Sequence, residues 1–208
     1  MNNIDELIRR YPDLEPVKSD IEKAYKLIEK AYAGGNKLLV GGNGGSAADA
    51  EHIVGELMKT FRKNRPISYD LKQRLQKIDP ERGAKLSEGL QLSLEAIAIT
   101  CHNTLNTAVA NDVAPQLEFA QQVCGYGREG DVLLAISTSG NAENLLLAAI
   151  TAKAMGLKVV LLTGKTGGKI LPLADAAIVV PENETYKIQE RHMPIYHAIC
   201  MELEEKFF

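Results

Sequence analysis

Cysteine is scarce in this chain of 208 residues: Cys101, Cys124 and Cys200 are odd in number, widely spaced and form no CxxC pair. Such usage points to reduced thiols in a cytoplasmic protein rather than to a disulfide framework. Long apolar runs are missing as well. No stretch approaches 18 residues, so no membrane-spanning helix is expected. Neither sign of charge dominates, since 24 Lys and Arg face 27 Asp and Glu for a net charge of −3. Without a basic stripe, neither nucleic acid nor an anionic membrane surface is an expected partner. The opening residues Met1–Glu6 lack a basic stretch followed by an apolar run, so no signal peptide is expected. Low-complexity tracts and fixed-period repeats are absent too. What is present is a globular composition, 45% hydrophobic and 25% charged. A chain of this length fits one domain, 1–208, that buries roughly 70% of its unfolded surface and needs no covalent staples.

Hydrophobic spacing gives the organisation. Val17, Ile21, Ala24, Leu27, Ile28 and Ala31 recur at helical intervals and predict a helix over 17–33, closed by Gly34-Gly35. Residues 1–35 are thus an N-terminal helical segment. Lys37–Gly41 predicts a short strand, and a helical pattern runs from Ala47 to about Phe61. Residues 62–94 are polar and punctuated by Pro66, Pro80, Gly83 and Gly89. They predict a loop with one or two short surface helices, inserted between core elements. Further strands are expected at Ala96–Thr100, Val132–Ile136, Lys158–Thr163 and Ala177–Val180. Between them lie a helix-rich stretch from Thr104 to Val123, broken near Asn111–Pro115, and a helix from Glu143 to Met155. Tyr186–Phe208 predicts a long helix interrupted at Pro194.

Strands alternate with helices, and each strand is a continuous apolar run. That pattern belongs to a parallel sheet covered on both faces. The expected fold is α/β, a three-layer, doubly wound, mostly parallel five-stranded sheet with long N- and C-terminal helices. In such sheets ligands bind beyond the carboxyl ends of the strands.

Two loops sit at such ends. Gly41-Gly42-Asn43-Gly44-Gly45-Ser46 follows a strand and opens a helix. Glycines let the backbone turn tightly, and the helix's first N–H groups and dipole favour an anion. The spacing is neither GxGxxG nor a GKS/GKT phosphate loop, which disfavours dinucleotide and nucleotide readings. Ser137-Thr138-Ser139-Gly140-Asn141 repeats the arrangement with three consecutive hydroxyls, where one residue suffices to cap a helix. A plain turn is the lesser alternative for the first loop and a weaker one for the second; together they point to phosphate capture at one crevice. His52 and Glu56, four apart, share a helical face. They suit a metal, an acid–base pair or an ordinary surface pair. Gln189 and His192 share a face of the last helix, and His197 lies about one and a half turns beyond His192.

Gly42–Ser46 and Ser137–Asn141 resemble the two motifs of the sugar isomerase (SIS) domain, with a flavodoxin-like sheet, and the likeness is greatest to the phosphoheptose isomerases. It extends through Asn111-Asp112, Gly127–Leu134, Leu162–Gly168 and Ile188–His192, and spares only 62–94. The resemblance implies isomerisation of sedoheptulose 7-phosphate to D-glycero-D-manno-heptose 7-phosphate through an enediol, with Glu56 as general base and His197 as acid–base partner. It implies zinc held by His52, Glu56, Gln189 and His197. It further implies substrate contacts from Asn43, Gly44, Gly45, Ser46, Asp112, Ser137, Thr138, Ser139, Asn141 and Gln189, in a homotetramer or homodimer with sites near subunit boundaries. Three positions depart from the pattern: Thr60, Ala142 and Tyr186 stand where the family often has arginine, serine and aspartate. Non-catalytic relatives, which bind a phosphosugar or associate with a replication initiator, keep the loops. Those that associate with the initiator lack the matching Glu and C-terminal His, so Glu56 and His197 favour an enzyme.

Overall fold

The strands form where the sequence offers unbroken apolar runs, because both of their faces are covered. Residues 2–208 are described by a computed structural model. Every residue of β1 (Leu38–Gly42) and β3 (Val132–Ser137) is buried. With β2 (Ala96–Ala98), β4 (Lys158–Thr163) and β5 (Ala176–Val179) they make one sheet in the order β2-β1-β3-β4-β5. All four pairings are parallel, so the sheet is wholly rather than mostly parallel. Alternate residues face opposite sides. Leu38, Val40, Leu134 and Ile136 join a core with α1 (Asn3–Arg10), α2 (Lys18–Ala33), α3 (Gly45–Met58) and α9 (Thr185–Phe207). Leu39, Leu133, Ala135 and Leu161 join a second core with α7 (Glu118–Tyr126) and α8 (Glu143–Ala154). The order is the flavodoxin-like one, whose strand order reverses between β1 and β3. Gly42 pairs with Ile136 there, so the two glycine/serine loops leave the sheet side by side.

Two details differ from expectation. β2 stops at Ala98 instead of Thr100, although the Ile99 N–H still donates to the Val40 carbonyl at 3.0 Å. The C-terminal helix is not interrupted. It runs from Thr185 to Phe207 through Pro194. Proline removes one helical N–H at a cost of about 3 kcal/mol. Burial of Ile188, His192, Ile195, Tyr196, Ile199, Cys200 and Leu203 along one face outweighs it. The N-terminal segment contains α1, a 3₁₀ turn over Pro12–Val17, and α2.

Segment 62–94 holds two short helices, α4 (Tyr69–Ile78) and α5 (Pro80–Gly89). Each starts on a side-chain cap: Ser68 Oγ accepts from the Leu71 N–H at 3.3 Å, and Asp79 Oδ1 from the Arg82 N–H at 2.8 Å. α4 buries no residue, and Ile78 is 85% exposed. The remaining helix of the layer is α6 (Asn103–Asp112).

A buried ion pair ties this segment to the core. Arg65 and Glu204 are 1% exposed each, and Arg65 Nε donates to Glu204 Oε1 at 2.8 Å. Glu204 also accepts from the backbone N–H groups of Phe61 and Arg62 at 2.9 and 2.8 Å. Arg65 reaches the carbonyls of Leu57 at 2.8 Å and Glu56 at 3.2 Å. Burial alone pushes the Glu204 carboxyl up; the backbone donors and Arg65 outweigh it and hold it below its usual range. Stability from this carboxylate is therefore present above its unfolded pKa, about 4.3, and is lost as pH falls through the lower folded value. Replacing one partner strands the other. Glu204→Gln is expected to destabilise the fold by about 3–5 kcal/mol, read as a lowered urea midpoint at pH 7. An unchanged midpoint would show that the pair contributes nothing.

Candidate functional site

The first loop is shaped by contacts that leave no room for side chains. A Cβ on Gly42 would lie 2.3 Å from the Ser46 carbonyl oxygen, and Gly44 has φ +55. α3 then starts without a side-chain cap, and Ser46 is 3% exposed. The second loop is similar. Gly140 has φ +65, and a Cβ there would stand 1.8 Å from the Gly167 carbonyl oxygen. Ser137 Oγ accepts from the Gly140 N–H at 3.1 Å and Ser139 Oγ from the Asn141 N–H at 3.2 Å. Both hydroxyl protons therefore stay available to a ligand. Asn141 Oδ1 accepts from the Lys169 N–H at 3.1 Å, pinning this loop to the turn after β4. Thr138 is half-buried, and Ala142 precedes α8 with no hydroxyl to cap it.

The loops are joined across the switch point. Asn43 Nδ2 donates to Asn144 Oδ1 and Asn144 Nδ2 to Asn43 Oδ1, both at 2.9 Å. Asn144 also donates to Glu118 Oε1 at 2.8 Å. Two helix starts without an N-cap side chain and a cluster of hydroxyls thus lie at the ends of neighbouring strands, an arrangement suited to a phosphate.

His52, Glu56 and His197 meet toward the C-terminal end of α3. His52 Nε2 lies 3.2 Å from Glu56 Oε1 and 3.4 Å from His197 Nε2. Tyr196 Oη lies 3.0 Å from His52 Nδ1 and 3.2 Å from Asp49 Oδ1. With Tyr196 donating to the Asp49 carboxylate, His52 Nδ1–H donates to Tyr196, and the lone pair of His52 Nε2 faces Glu56 and His197. Two imidazole nitrogens and a carboxylate oxygen this close need a proton or a cation between them. Burial, then the neighbouring His52, lowers the pKa of His197, while Glu56 opposes the shift. Burial raises the Asp49 carboxyl, against Tyr196 and His52. Burial, then Asp49, raises the Tyr196 phenol.

The metal set is met in part. Zinc bonds of about 2.0–2.1 Å in a tetrahedron set neighbouring donors about 3.4 Å apart, close to both His52 distances. Among the described residues, however, no three His, Cys, Asp or Glu side chains surround one metal position. Gln189 stands apart from the other three. It lies inside the unbroken α9, about 12 Å along the axis from His197, and its Nε2 would be 2.5 Å from a Cβ on Gly45. The amide therefore belongs to the first loop's surroundings. Asp112 is exposed at the end of α6, where its carboxylate accepts from Asn111 at 2.8 Å. The structure brings it to neither loop. Thr60 donates its N–H to Gln91 Oε1 at 2.7 Å at the base of the α4–α5 hairpin, and Tyr186 is 55% exposed.

Asp49, Tyr196, Glu118 and Asn144 were not legible as site residues. Asp49 precedes His52 by three positions and Tyr196 adjoins His197, but neither spacing by itself marks a function. His192 faces the core instead of the site. It is fully buried, neither ring nitrogen has a partner within hydrogen-bond range among the described residues, and burial, opposed weakly by the Thr163 backbone, pushes its pKa down to about 4. A histidine kept neutral in the fold takes up its proton on unfolding, so stability is lost as pH falls below the unfolded value, about 6.5, toward 4. His192→Leu should flatten the urea midpoint between pH 6.5 and 4; an unaltered pH slope would exclude this role.

Comparison with known proteins agrees with the geometry. Residues 95–201 match the SIS domain family, and a second SIS domain description matches residues 2–88. The chain belongs to the SIS domain family. Its curated relatives include phosphoheptose isomerases. That of a Nitratiruptor species is 43% identical over 165 residues, 79% of this chain and 74% of the relative. That of Akkermansia muciniphila is 33% identical over 207 residues, 100% of this chain and 96% of the relative. The solved phosphoheptose isomerase of Francisella tularensis superposes with a TM-score of 0.77 at 30% identity, covering 97% of this chain and 94% of that one. No helix among the described residues is long and apolar enough to cross a membrane.

Proposed function

We propose that the chain is a phosphoheptose isomerase that interconverts sedoheptulose 7-phosphate and D-glycero-D-manno-heptose 7-phosphate. The observation that carries this reading is the meeting of Glu56 and His197 at His52 Nε2, in a chain whose two loops share the β1/β3 switch point. The likeness of the whole chain to phosphoheptose isomerases supports it.

Ser46, Ser137, Thr138 and Ser139 hold the phosphate, with Gly44, Gly45 and Asn141 shaping the loops around it. Asn43 and Gln189 address sugar hydroxyls, and Asp112, exposed at the end of α6, would do so only for the site of a neighbouring subunit. The Glu56 carboxylate removes a proton from C1 of the ketose while the C2 carbonyl oxygen gains one from His197, giving the 1,2-enediol. Return of a proton to C2 and loss of the O1 proton yields the aldehyde, with no net change in atoms or charge. His52, Glu56 and His197 would hold zinc only once their side chains turn toward a common point, which they do not share here, with Gln189 as a fourth ligand only if it is brought across. Such an ion would polarise the substrate oxygens as a Lewis acid.

Ser46 and Glu56 are ten residues apart on α3, about 15 Å along its axis. The phosphate loops and the acid–base cluster of one chain thus occupy opposite ends of a helix. This supports a homo-oligomer, a tetramer or dimer, in which neighbouring subunits complete each site.

Two outcomes test the reading. Purified protein mixed with sedoheptulose 7-phosphate should form the aldoheptose phosphate by NMR, and Glu56→Gln should lower kcat by at least about 100-fold while phosphosugar binding persists. No turnover by the unsubstituted protein with or without zinc would refute the isomerase. Calorimetric titration with zinc should show one site per chain that His52→Ala weakens by about tenfold or more; equal affinity in that variant would place any zinc elsewhere.

A further inference from the structure

We infer that Glu118 and Asn144 are positioning residues that set which hydrogen-bonding groups Asn43 presents to the sugar. The inference rests on the reading of Asn43 as a hydroxyl ligand.

The argument is a count of donors and acceptors. A primary amide has two N–H donors and two acceptor lone pairs on oxygen. Asn144 uses all four. Its Nδ2 donates to Glu118 Oε1 at 2.8 Å and to Asn43 Oδ1 at 2.9 Å. Its Oδ1 accepts from Asn43 Nδ2 and from the Leu145 N–H, both at 2.9 Å. Asn43 uses one donor and one acceptor on Asn144 and keeps one of each. A paired amide leaves these on its outer edges, so Asn43 offers one N–H and one lone pair in fixed positions.

A reciprocal amide pair has a second arrangement. Turning both side chains over restores both mutual bonds but exchanges the positions of nitrogen and oxygen. Two neighbours break this degeneracy. The Glu118 carboxylate only accepts, so it admits Asn144 Nδ2 and repels Oδ1. The Leu145 N–H only donates, so it selects Oδ1. The other carboxylate oxygen, Glu118 Oε2, is buried without a partner among the described residues. The Glu118 side chain thus directs its one side-chain hydrogen bond to Asn144. Glu118 begins α7, and its helix packs against α8, which carries Asn144. The orientation of a loop residue in β1's crevice is therefore set from the helical layer beneath it.

Sugar recognition depends on that orientation. A hydroxyl that donates to the Asn43 lone pair, or accepts from its N–H, is left unpaired when the amide turns over, and an unpaired buried polar group is costly. The phosphate depends on it less, because among the described residues the side chains of Ser46, Ser137, Thr138 and Ser139 make no hydrogen bond to Asn43, Asn144 or Glu118.

The test compares Glu118→Leu, which removes the acceptor, with Glu118→Gln, whose carbonyl can replace it. Calorimetry with sedoheptulose 7-phosphate and with inorganic phosphate separates the two halves of the ligand. Glu118→Leu should weaken the phosphosugar on the order of tenfold, raise KM more than it lowers kcat, and leave phosphate affinity unchanged. Glu118→Gln should restore most of the loss. Unchanged phosphosugar affinity in Glu118→Leu, or an equal loss for phosphate, would overturn the inference. If the unsubstituted protein binds no phosphosugar, the functional reading fails separately. The side-chain amide NMR signals of Asn43 and Asn144 then decide: a shift in Glu118→Leu that Glu118→Gln reverses upholds the lock, and identical spectra sink it.

Discussion

The Arg65–Glu204 pair is the interaction on which the acid–base end of the molecule depends. Two charges leave water together, a loss that is offset only when the remaining donors and acceptors are matched. Here they are: Glu204 takes the N–H groups of Phe61 and Arg62, and Arg65 takes the carbonyls of Glu56 and Leu57. These carbonyls belong to the last turn of α3, where no helical N–H remains to meet them. One buried pair thus ends α3, starts the 62–94 segment and fastens both to α9. Glu56 comes from α3 and His197 from α9, so their approach at His52 depends on this clamp.

The opposite end of α3 is governed by the sheet. A parallel sheet with this order has one place where neighbouring strands send their chains to opposite faces. β1 and β3 flank it, and both end in small residues. Backbone approaches as close as those of Gly42 to Ser46 and Gly140 to Gly167 are open only to glycine. The Asn43–Asn144 amide pair then bridges the loops. The two loops thus lie at the start of α3, and His52, Glu56 and His197 meet toward its other end.

Much of this was legible in the amino-acid order. Unbroken apolar runs such as Val132–Ile136 indicated strands buried on both faces, and the order of elements indicated a doubly wound sheet. The two glycine/serine loops were visible because glycine and hydroxyl residues at strand ends have few other uses in such density. His52 and Glu56 were visible as a pair because helical spacing puts them on one face. Pro194 misled, since local chemistry argues for a break while the buried face of α9 holds the helix together. The eight residues between Gln189 and His197 already set them about 12 Å apart on a straight helix, and the unbroken α9 keeps them so within one chain.

The sequence by itself determined the layering of the sheet, the two phosphate-type loops and the presence of a carboxylate and imidazoles suited to moving protons. These follow from periodicity and residue type, which are local. The tertiary structure decided which of those groups meet. It brought His197 to His52 across 145 positions, sent His192 into the core, left Asp112 in solvent, and placed Gln189 against Gly45. It also tied Glu118 to Asn144 and Asp49 to Tyr196, residues that carry no signal in the chain. The physical reason is that contact between distant residues depends on strand order, helix direction and the packing of whole faces, none of which is encoded in any single stretch.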